Sequence, residues 1–389
     1  MQNKHHQPGF TQSVLPWAVA AGALVIYLVT LNHWVNVRSL PVVAKIAGWE
    51  WTPFVQMPLL YFITIPFRVL PAGVQPVALN ILSAVFGALT VGLLAGSVAL
   101  LPHDRTHEQR LRERSEFSLL STPTSWIPPL FASLAFVFQL TMWEHSTSLT
   151  GESLDLLIFA YLIRCLLEFR VSQNERWLGK FALVYGMGIS NNYSLIAYFP
   201  AFLVALIWMR GKRFFRTAFL GRMAGFGFVG LLLYLALPLI WLLNGDVSYS
   251  FWDLLKANLI AQKILVFDPQ LRSRVLILSL TSVLPLLMMG IRWPSSFGET
   301  NAAGAAITNV MFRLVHLVFL IAGAVTMLDP KFSPRNLGWG IPFLSLYYLT
   351  AIAIGYYSGY VLLVFTDPAK KNWQCQSDAL RFFNPVFLT

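Results

Sequence analysis

Apolar runs long enough to cross a lipid bilayer recur from residue 14 to residue 365, and the gaps between them are short. A helix needs roughly 20 mostly apolar residues to cross ~30 Å of hydrocarbon. Segments 16–30, 76–101, 126–143, 154–169, 223–243, 275–293, 307–328 and 337–365 meet or approach that length, and 181–209 is a further apolar stretch broken at Asn191-Asn192. With 56% hydrophobic and only 12% charged residues, a soluble domain would expose too much apolar surface to stay dispersed. The chain is expected to fold as an all-α polytopic transmembrane helical bundle of about nine to ten spans, residues 1–389 forming a single integral membrane domain. Function then sits in the loops and in the few polar groups carried by the spans.

The formal charge of +11 is distributed in a way that orients such a bundle. With the N-terminus inside, seventeen Lys and Arg fall on the cytoplasmic side and nine on the outer side, leaving Arg164 and Arg313 within helices. That bias follows the positive-inside rule, so both termini are placed in the cytoplasm and nucleic acid is excluded as a partner. Residues 1–13 form a cytoplasmic tail, 32–74 a first outer loop, 244–274 a second outer loop and 366–389 a C-terminal tail. The segment at 16–30 is taken as a retained first helix, because no small-residue cleavage site separates it from the polar start. Cys165 and Cys375 have no metal-type spacing and suggest no structural disulfide.

Both long outer loops carry apolar segments of their own. Residues 54–67 are punctuated by Pro58 and Pro66 and fit a helix lying at the membrane surface. Residues 250–267 place Phe251, Trp252, Leu254, Leu255, Leu259, Ile260, Ile264 and Leu265 at helix-like spacing, interleaved with Asp253, Lys256 and Lys263. The broken stretch 181–209 lies between two cationic loops on the same side. It must go out and return within 29 residues, which calls for two short helices meeting at Ser190-Asn191-Asn192-Tyr193. Backbone freed at such a break must be covered by protein or water, so a hydrated cavity reaching Asn191 and Asn192 is expected.

Glu50 is the only acidic residue of the first outer loop and stands between Trp49 and Trp51. A carboxylate flanked by indoles in a partly desolvated cleft suits a general base, while the same Trp pair suits an interfacial aromatic belt around a solvated Glu. Glu144 and Glu152 flank a tight outer turn with His145 alongside and can face one cleft. Glu152 can equally complement the dipole of the helix it begins. Arg38, Lys45, Arg68, Lys256 and Lys263 run against the positive-inside bias and suit an anionic group such as a lipid phosphate, while Trp49 and Trp51 suit a sugar face. No Walker loop, Rossmann glycine pattern, Ser-His-Asp set or zinc motif occurs, and a lone His145 among carboxylates lacks recognised metal spacing. Arg164 lies near the inner end of its run and can snorkel to the surface.

Several segments resemble a known family. Trp51-Thr52-Pro53 through Met57-Pro58-Leu59 is similar to a His-Pro-Pro-Gly-x-Pro-Leu stretch. Gly151-Glu152-Ser153-Leu154 is similar to an Ala-Glu-Val-Tyr turn, and Gly186-Met187-Gly188-Ile189-Ser190-Asn191-Asn192 to a Gly-x-x-x-Thr-Asn-His segment. These are the marks of the bacterial membrane family "domain of unknown function 2723", which resembles protein O-mannosyltransferases of the GT-C glycosyltransferase superfamily. The chain departs from the family in having Val37-Arg38-Ser39-Leu40-Pro41-Val42 where an Asp-Ser-Gly-Glu motif is usual, and Asn192 where His is usual. Members often continue into a soluble C-terminal region, so a fragment of a longer protein is one expectation.

The resemblance implies a GT-C-like bundle in the bacterial inner membrane that moves a sugar from a polyprenyl-phosphate donor to a protein or glycan acceptor on the outer face. It implies an acidic base from the first outer loop, for which Glu50 is available, with Glu152 and Glu144 as further catalytic candidates. Arg38, Lys45, Trp49, Trp51, Arg68, His145, Asn191, Asn192, Lys256 and Lys263 are the substrate-binding candidates. Membrane lipid and the lipid-linked donor are the expected partners. No resident cofactor or metal is assigned, and a divalent ion is left open. A transporter or flippase of a lipid-linked or small polar solute is the alternative, as is a non-catalytic relative. Transporters usually carry ionisable groups deep in several spans and paired broken helices, and this chain has one broken element.

Overall fold

A computed structural model describes residues 10–50, 56–101, 125–243, 248–267 and 344–365. Every regular element among them is helical. After a single turn at Phe10–Ser13, the chain forms α1 (Leu15–Val29), α2 (Leu40–Ala47) and α3 (Pro58–Thr64), which runs on into a 3-10 turn, Ile65–Val69. Then come α4 (Gln75–Ala99), α5 (Ile127–Val137), α6 (Leu140–Thr147), α7 (Glu152–Ser172) and α8 (Arg176–Asn191). A 3-10 segment, Tyr193–Tyr198, leads to α9 (Phe199–Arg210), and a second, Gly211–Phe215, to α10 (Thr217–Leu231). The remaining helices are α11 (Leu233–Leu243), α12 (Phe251–Phe267) and α13 (Leu344–Phe365).

Among the described residues, two helices have the length and apolar composition to cross a membrane: α4, and the stacked pair α10–α11 over Thr217–Leu243. They serve opposite purposes. More than half of the apolar window of α4 is buried, 56%, against 17% for Thr217–Leu243. α4 is the hub of the bundle, packed on α1, α5, α6 and α7, whereas α10–α11 turns Phe226, Phe228, Val229, Leu235, Leu239 and Leu242 outward. An apolar surface of that extent suits hydrocarbon and not water. The bundle is tightened by small residues. A Cβ on Gly186 would run into the Gly227 carbonyl, and one on Gly230 into the Leu183 carbonyl, so α8 and α10 touch backbone to backbone. Close approach through glycine is how helices associate where no hydrophobic effect drives them together.

The expected pair of short helices at 181–209 is present as α8 and the segment from Tyr193 to Arg210. Other expectations need correction. Residues 126–143 are not one span: the backbone of Gln139 is extended and its side chain accepts a 2.7 Å hydrogen bond from the Met142 N–H, ending α5 and starting α6. An N-cap of this kind is cheap to form and overrides apolar continuity. The Pro-punctuated segment of the first outer loop does not lie on a surface, because Leu60 and Tyr61 of α3 are buried in the bundle. The helix expected within 250–267 is present as α12 and turns Trp252, Leu259 and Ile260 outward; its buried stripe is Leu254, Asn258 and Gln262. Asn258 and Gln262 are drawn inward by hydrogen bonds: Gln262 Nε2 donates to Asn258 Oδ1 at 2.8 Å, and Tyr234 OH donates to Gln262 Oε1. The expected spans at 275–293 and 307–328 lie outside the described residues.

Candidate functional site

α1, α6 and α8 end, and α4 and α7 begin, at one end of the bundle. A polar stripe on α4 gathers them. Asn80 Nδ2 donates to the Asn32 carbonyl at 2.7 Å, and Asn80 Oδ1 accepts from the Leu149 N–H at 2.9 Å. One turn on, Ser83 Oγ donates to the His145 carbonyl at 2.8 Å and lies 2.7 Å from Ser153 Oγ. Asn80, Ser83 and Gly87 occupy positions i, i+3 and i+7 of one helix face, the last leaving room for Ser146. The stripe therefore fixes the α6–α7 turn that bears Glu144, His145 and Glu152.

A second anchor crosses from α8 to α7 and α3. Asn191 Nδ2 donates to Asp155 Oδ1 and Asn192 Nδ2 to Asp155 Oδ2, each at 2.7 Å. Asn191 Oδ1 accepts from the N–H groups of Leu59 and Leu60, at 3.1 and 3.2 Å, and so caps α3 from a distant part of the chain. Asn192 Oδ1 accepts from the Ser194 N–H at 3.1 Å and caps the 3-10 segment. Both amides are thus spent on protein, and Asn191 is buried. Where sequence led to a water-lined break, the Asn191 side chain is buried and clamped between Asp155 and the first turn of α3. Gly151 sits next to this clamp at φ +85°, a conformation that favours glycine, with Met57 Sδ 3.0 Å from where a Cβ would lie.

Charged residues gather around the α6–α7 turn next to the clamp. Arg38 Nη1 pairs with Glu144 Oε2 at 2.7 Å. His145 is buried, with Nδ1 2.7 Å from Thr150 Oγ1 and 3.9 Å from Glu152 Oε2. Glu152 precedes the apolar run of α7 and keeps 27% of its side chain open to solvent. Burial first, and then the negative charge of Asp155, push its carboxyl well above the usual range, with Arg38 pulling the other way. The three carboxylates therefore differ among the described residues: Glu144 is ion-paired at 2.7 Å, Asp155 accepts an amide on each oxygen, and Glu152 has His145 Nδ1 at 3.9 Å.

Of the residues expected from sequence, the fold brings together Arg38, Glu144, His145, Glu152, Asn191 and Asn192. Glu50 and Trp49 are exposed beyond the left-handed Gly48 that ends α2, and Lys45 is half-buried in the last turn of α2. Arg68 lies with its guanidinium 4.8 Å from the centre of the Tyr61 ring. Lys256 is exposed on α12. Trp51 and the side chain of Lys263 lie outside the described residues. Arg164 is half-buried and paired with Glu168 at 2.5 Å, one turn along α7, as a structural arginine would be. Asp155 is the residue that sequence reading passed over. Its spacing of three from Glu152 put both acids on one helix face, and that was the available signal. Among the described residues no three His, Cys, Asp or Glu side chains are arranged to hold a metal ion.

The segment that builds this site, α3 to α9, is also the segment that matches known proteins. Residues 56–214 match the family described as protein O-mannosyl-transferase TMEM260 N-terminal domain. The match takes in Glu144, His145, Glu152, Asp155, Asn191 and Asn192, whereas Arg38, Lys45 and Glu50 lie ahead of it. It covers less than half of the 389 residues. No curated protein and no solved structure matches the chain. The O-mannosyltransferase part of the resemblance thus has independent support, and a family of this kind implies glycosyl transfer between a sugar donor and an acceptor.

Proposed function

We propose that the protein is an integral membrane glycosyltransferase of GT-C type. It takes a sugar from a polyprenyl-phosphate donor and passes it to a protein or glycan acceptor on the outer face of a bacterial inner membrane, both termini being cytoplasmic. Glu152 is the base in this reading, in preference to Glu50. The observation that carries the assignment is the contrast among carboxylates at one opening: Glu144 and Asp155 are held by short contacts, and Glu152 is left open within a largely buried setting. A carboxylate with a raised proton affinity removes the acceptor hydroxyl proton more readily as the bond to the sugar forms. The polyprenyl phosphate leaves already ionised and needs cations more than an acid. Arg38 is a cation whose charge is felt at Glu152, and its guanidinium has further donors beyond the one used on Glu144.

Purified full-length protein supplied with a polyprenyl-phosphate sugar tests the reading. Glu152→Gln is expected to abolish most transfer with donor binding intact, and Glu50→Gln to leave transfer near normal. If Glu50→Gln is the variant that loses transfer, the base belongs to the first outer loop as the sequence resemblance implied. If the wild-type protein neither binds nor transfers the donor, the transporter or non-catalytic alternative takes its place.

A further inference from the structure

The end of the bundle opposite the site carries a charge imbalance that the glycosyltransferase reading does not use. Between residues 173 and 222 there is one acid, Glu175, against seven cations: Arg176, Lys180, Arg210, Lys212, Arg213, Arg216 and Arg222. The fold consumes Glu175 completely. Arg210 Nη1 meets one of its oxygens at 2.6 Å and Arg222 Nη2 meets the other. These same two arginines lie over the face of Phe219, Arg210 at 4.1 Å from its centre. Lys180 is held over Trp177 at 4.3 Å. Lys212, Arg213 and Arg216 are left exposed on and beside the 3-10 turn Gly211–Phe215, with no acid of this stretch remaining to pair with them.

The apolar side chains of that turn divide in a telling way. Phe214 is buried and edge-packed on Phe219, which pins the turn to the bundle. Its neighbour Phe215 is 64% exposed, and Lys212, Arg213 and Arg216 beside it in sequence have no ion pair among the described residues. A bulky exposed ring flanked by Lys and Arg is a poor surface for water. It is a good one for the boundary between hydrocarbon and headgroups, where the ring enters the acyl region and the cations stay level with phosphate. The turn also joins α9 to α10, and α10 begins the outward-facing apolar helix Thr217–Leu243, so the cations sit where that helix leaves hydrocarbon.

We infer that Lys212, Arg213 and Arg216, with Phe215 as an anchor, form a binding surface for the phosphate headgroups of anionic phospholipids. The occupant is membrane lipid because the surface is continuous with the lipid-suited face of α10. The inference rests on the chain being embedded in a bilayer and not on the chemistry at Glu152. Juxtamembrane basic clusters attract anionic lipid by charge, and the attraction fades with salt.

The test uses full-length protein in nanodiscs of phosphatidylcholine mixed with phosphatidylglycerol, reading the association of spin-labelled phosphatidylglycerol relative to spin-labelled phosphatidylcholine. Wild-type protein is expected to prefer phosphatidylglycerol. Replacing all three cations (K212Q, R213Q, R216Q) is expected to lower that preference by on the order of tenfold. High salt is expected to do the same, and Phe215→Ala to lower association of both lipids modestly. The charge-keeping pair R213K and R216K is expected to retain the preference, and the single R213E reads the same effect should the triple variant fail to fold. An unchanged preference in the neutral triple variant overturns the proposal. So does displacement of the label by inorganic phosphate, which marks a site for free anions.

Discussion

The two ends of this bundle handle charge differently. At the end where α8 and α10 begin, Glu175 is shared between Arg210 and Arg222, and the surplus cations face outward. At the end where α7 begins, Arg38, Glu144, His145, Glu152, Asp155, Asn191 and Asn192 converge from four parts of the chain, and among the described residues Glu152 has only the 3.9 Å contact with His145 as an ion-pair partner. The first arrangement closes an ion set on the surface, where such pairs contribute little. The second keeps a carboxylate under partial burial, which is costly unless it serves a purpose. The surroundings of Glu152 are rigid: Asn80, Ser83 and Asp155 hold the turn and the helix on either side of it.

The sharpest way to break this contrast is Glu152→Gln. If Glu152 is the base, turnover falls by on the order of 10²–10⁴ while donor binding survives. A base works in its ionised form, and burial raises its proton affinity. The wild-type rate is therefore expected to climb with pH through a limb lying above the ordinary carboxylate range. The Gln variant is expected to lack that limb, and a limb that persisted in the variant would assign it to another group.

Asn191→Leu attacks the support instead of the charge. It strips two N–H groups of α3 and one oxygen of Asp155 of their partners, and each such loss costs about 1–3 kcal/mol. A large drop in the detergent melting temperature is the expected outcome, together with loss of activity. If the protein melts normally, the clamp is not what holds α3. Gly186→Ala tests packing away from both ends. Its methyl group would meet the Gly227 carbonyl, so α8 and α10 must separate, at about 1–3 kcal/mol. A melting temperature within error of wild type would show that the two helices can part freely.

The smallest effect belongs to the closed end. Hydrogen bonds from Arg222 and Arg210 hold the Glu175 carboxyl below its usual range. A group depressed in the fold contributes stability above its unfolded value and loses it as pH falls through the folded one. Glu175 is half-exposed, its side chain 42% open to solvent, so Glu175→Gln is expected to cost under about 1 kcal/mol at neutral pH. It is expected to cost nothing once the wild-type carboxyl is protonated. A larger loss would mean that the two ends are more alike than their geometry suggests.

Some of the fold could be read directly from residue order. The all-helical class follows from apolar runs that must satisfy their own backbone in lipid. The break at Asn191-Asn192 follows from two cationic loops only 29 apolar residues apart. The lengths of the apolar runs were less informative. The run 126–143 contains a cap at Gln139 that no hydropathy window detects, since one side-chain hydrogen bond decides it. The inward stripe of α12 is likewise invisible to apolar spacing. Buried amides at Asn258 and Gln262 satisfy each other and Tyr234, so a polar face can point inward.

Residue order alone points to a membrane-suited helical bundle and to the short acidic turn around Glu144 and Glu152. These depend on composition and local spacing. Which carboxylate keeps the fewest partners among the described residues emerges only from packing. Asp155 and Glu152 are three residues apart on one helix, and nothing local to them says that Asn191 and Asn192 will occupy the first and leave the second open. Proton affinity is set by desolvation and by partners distant in sequence, and both exist only once α3, α6, α7 and α8 have packed together.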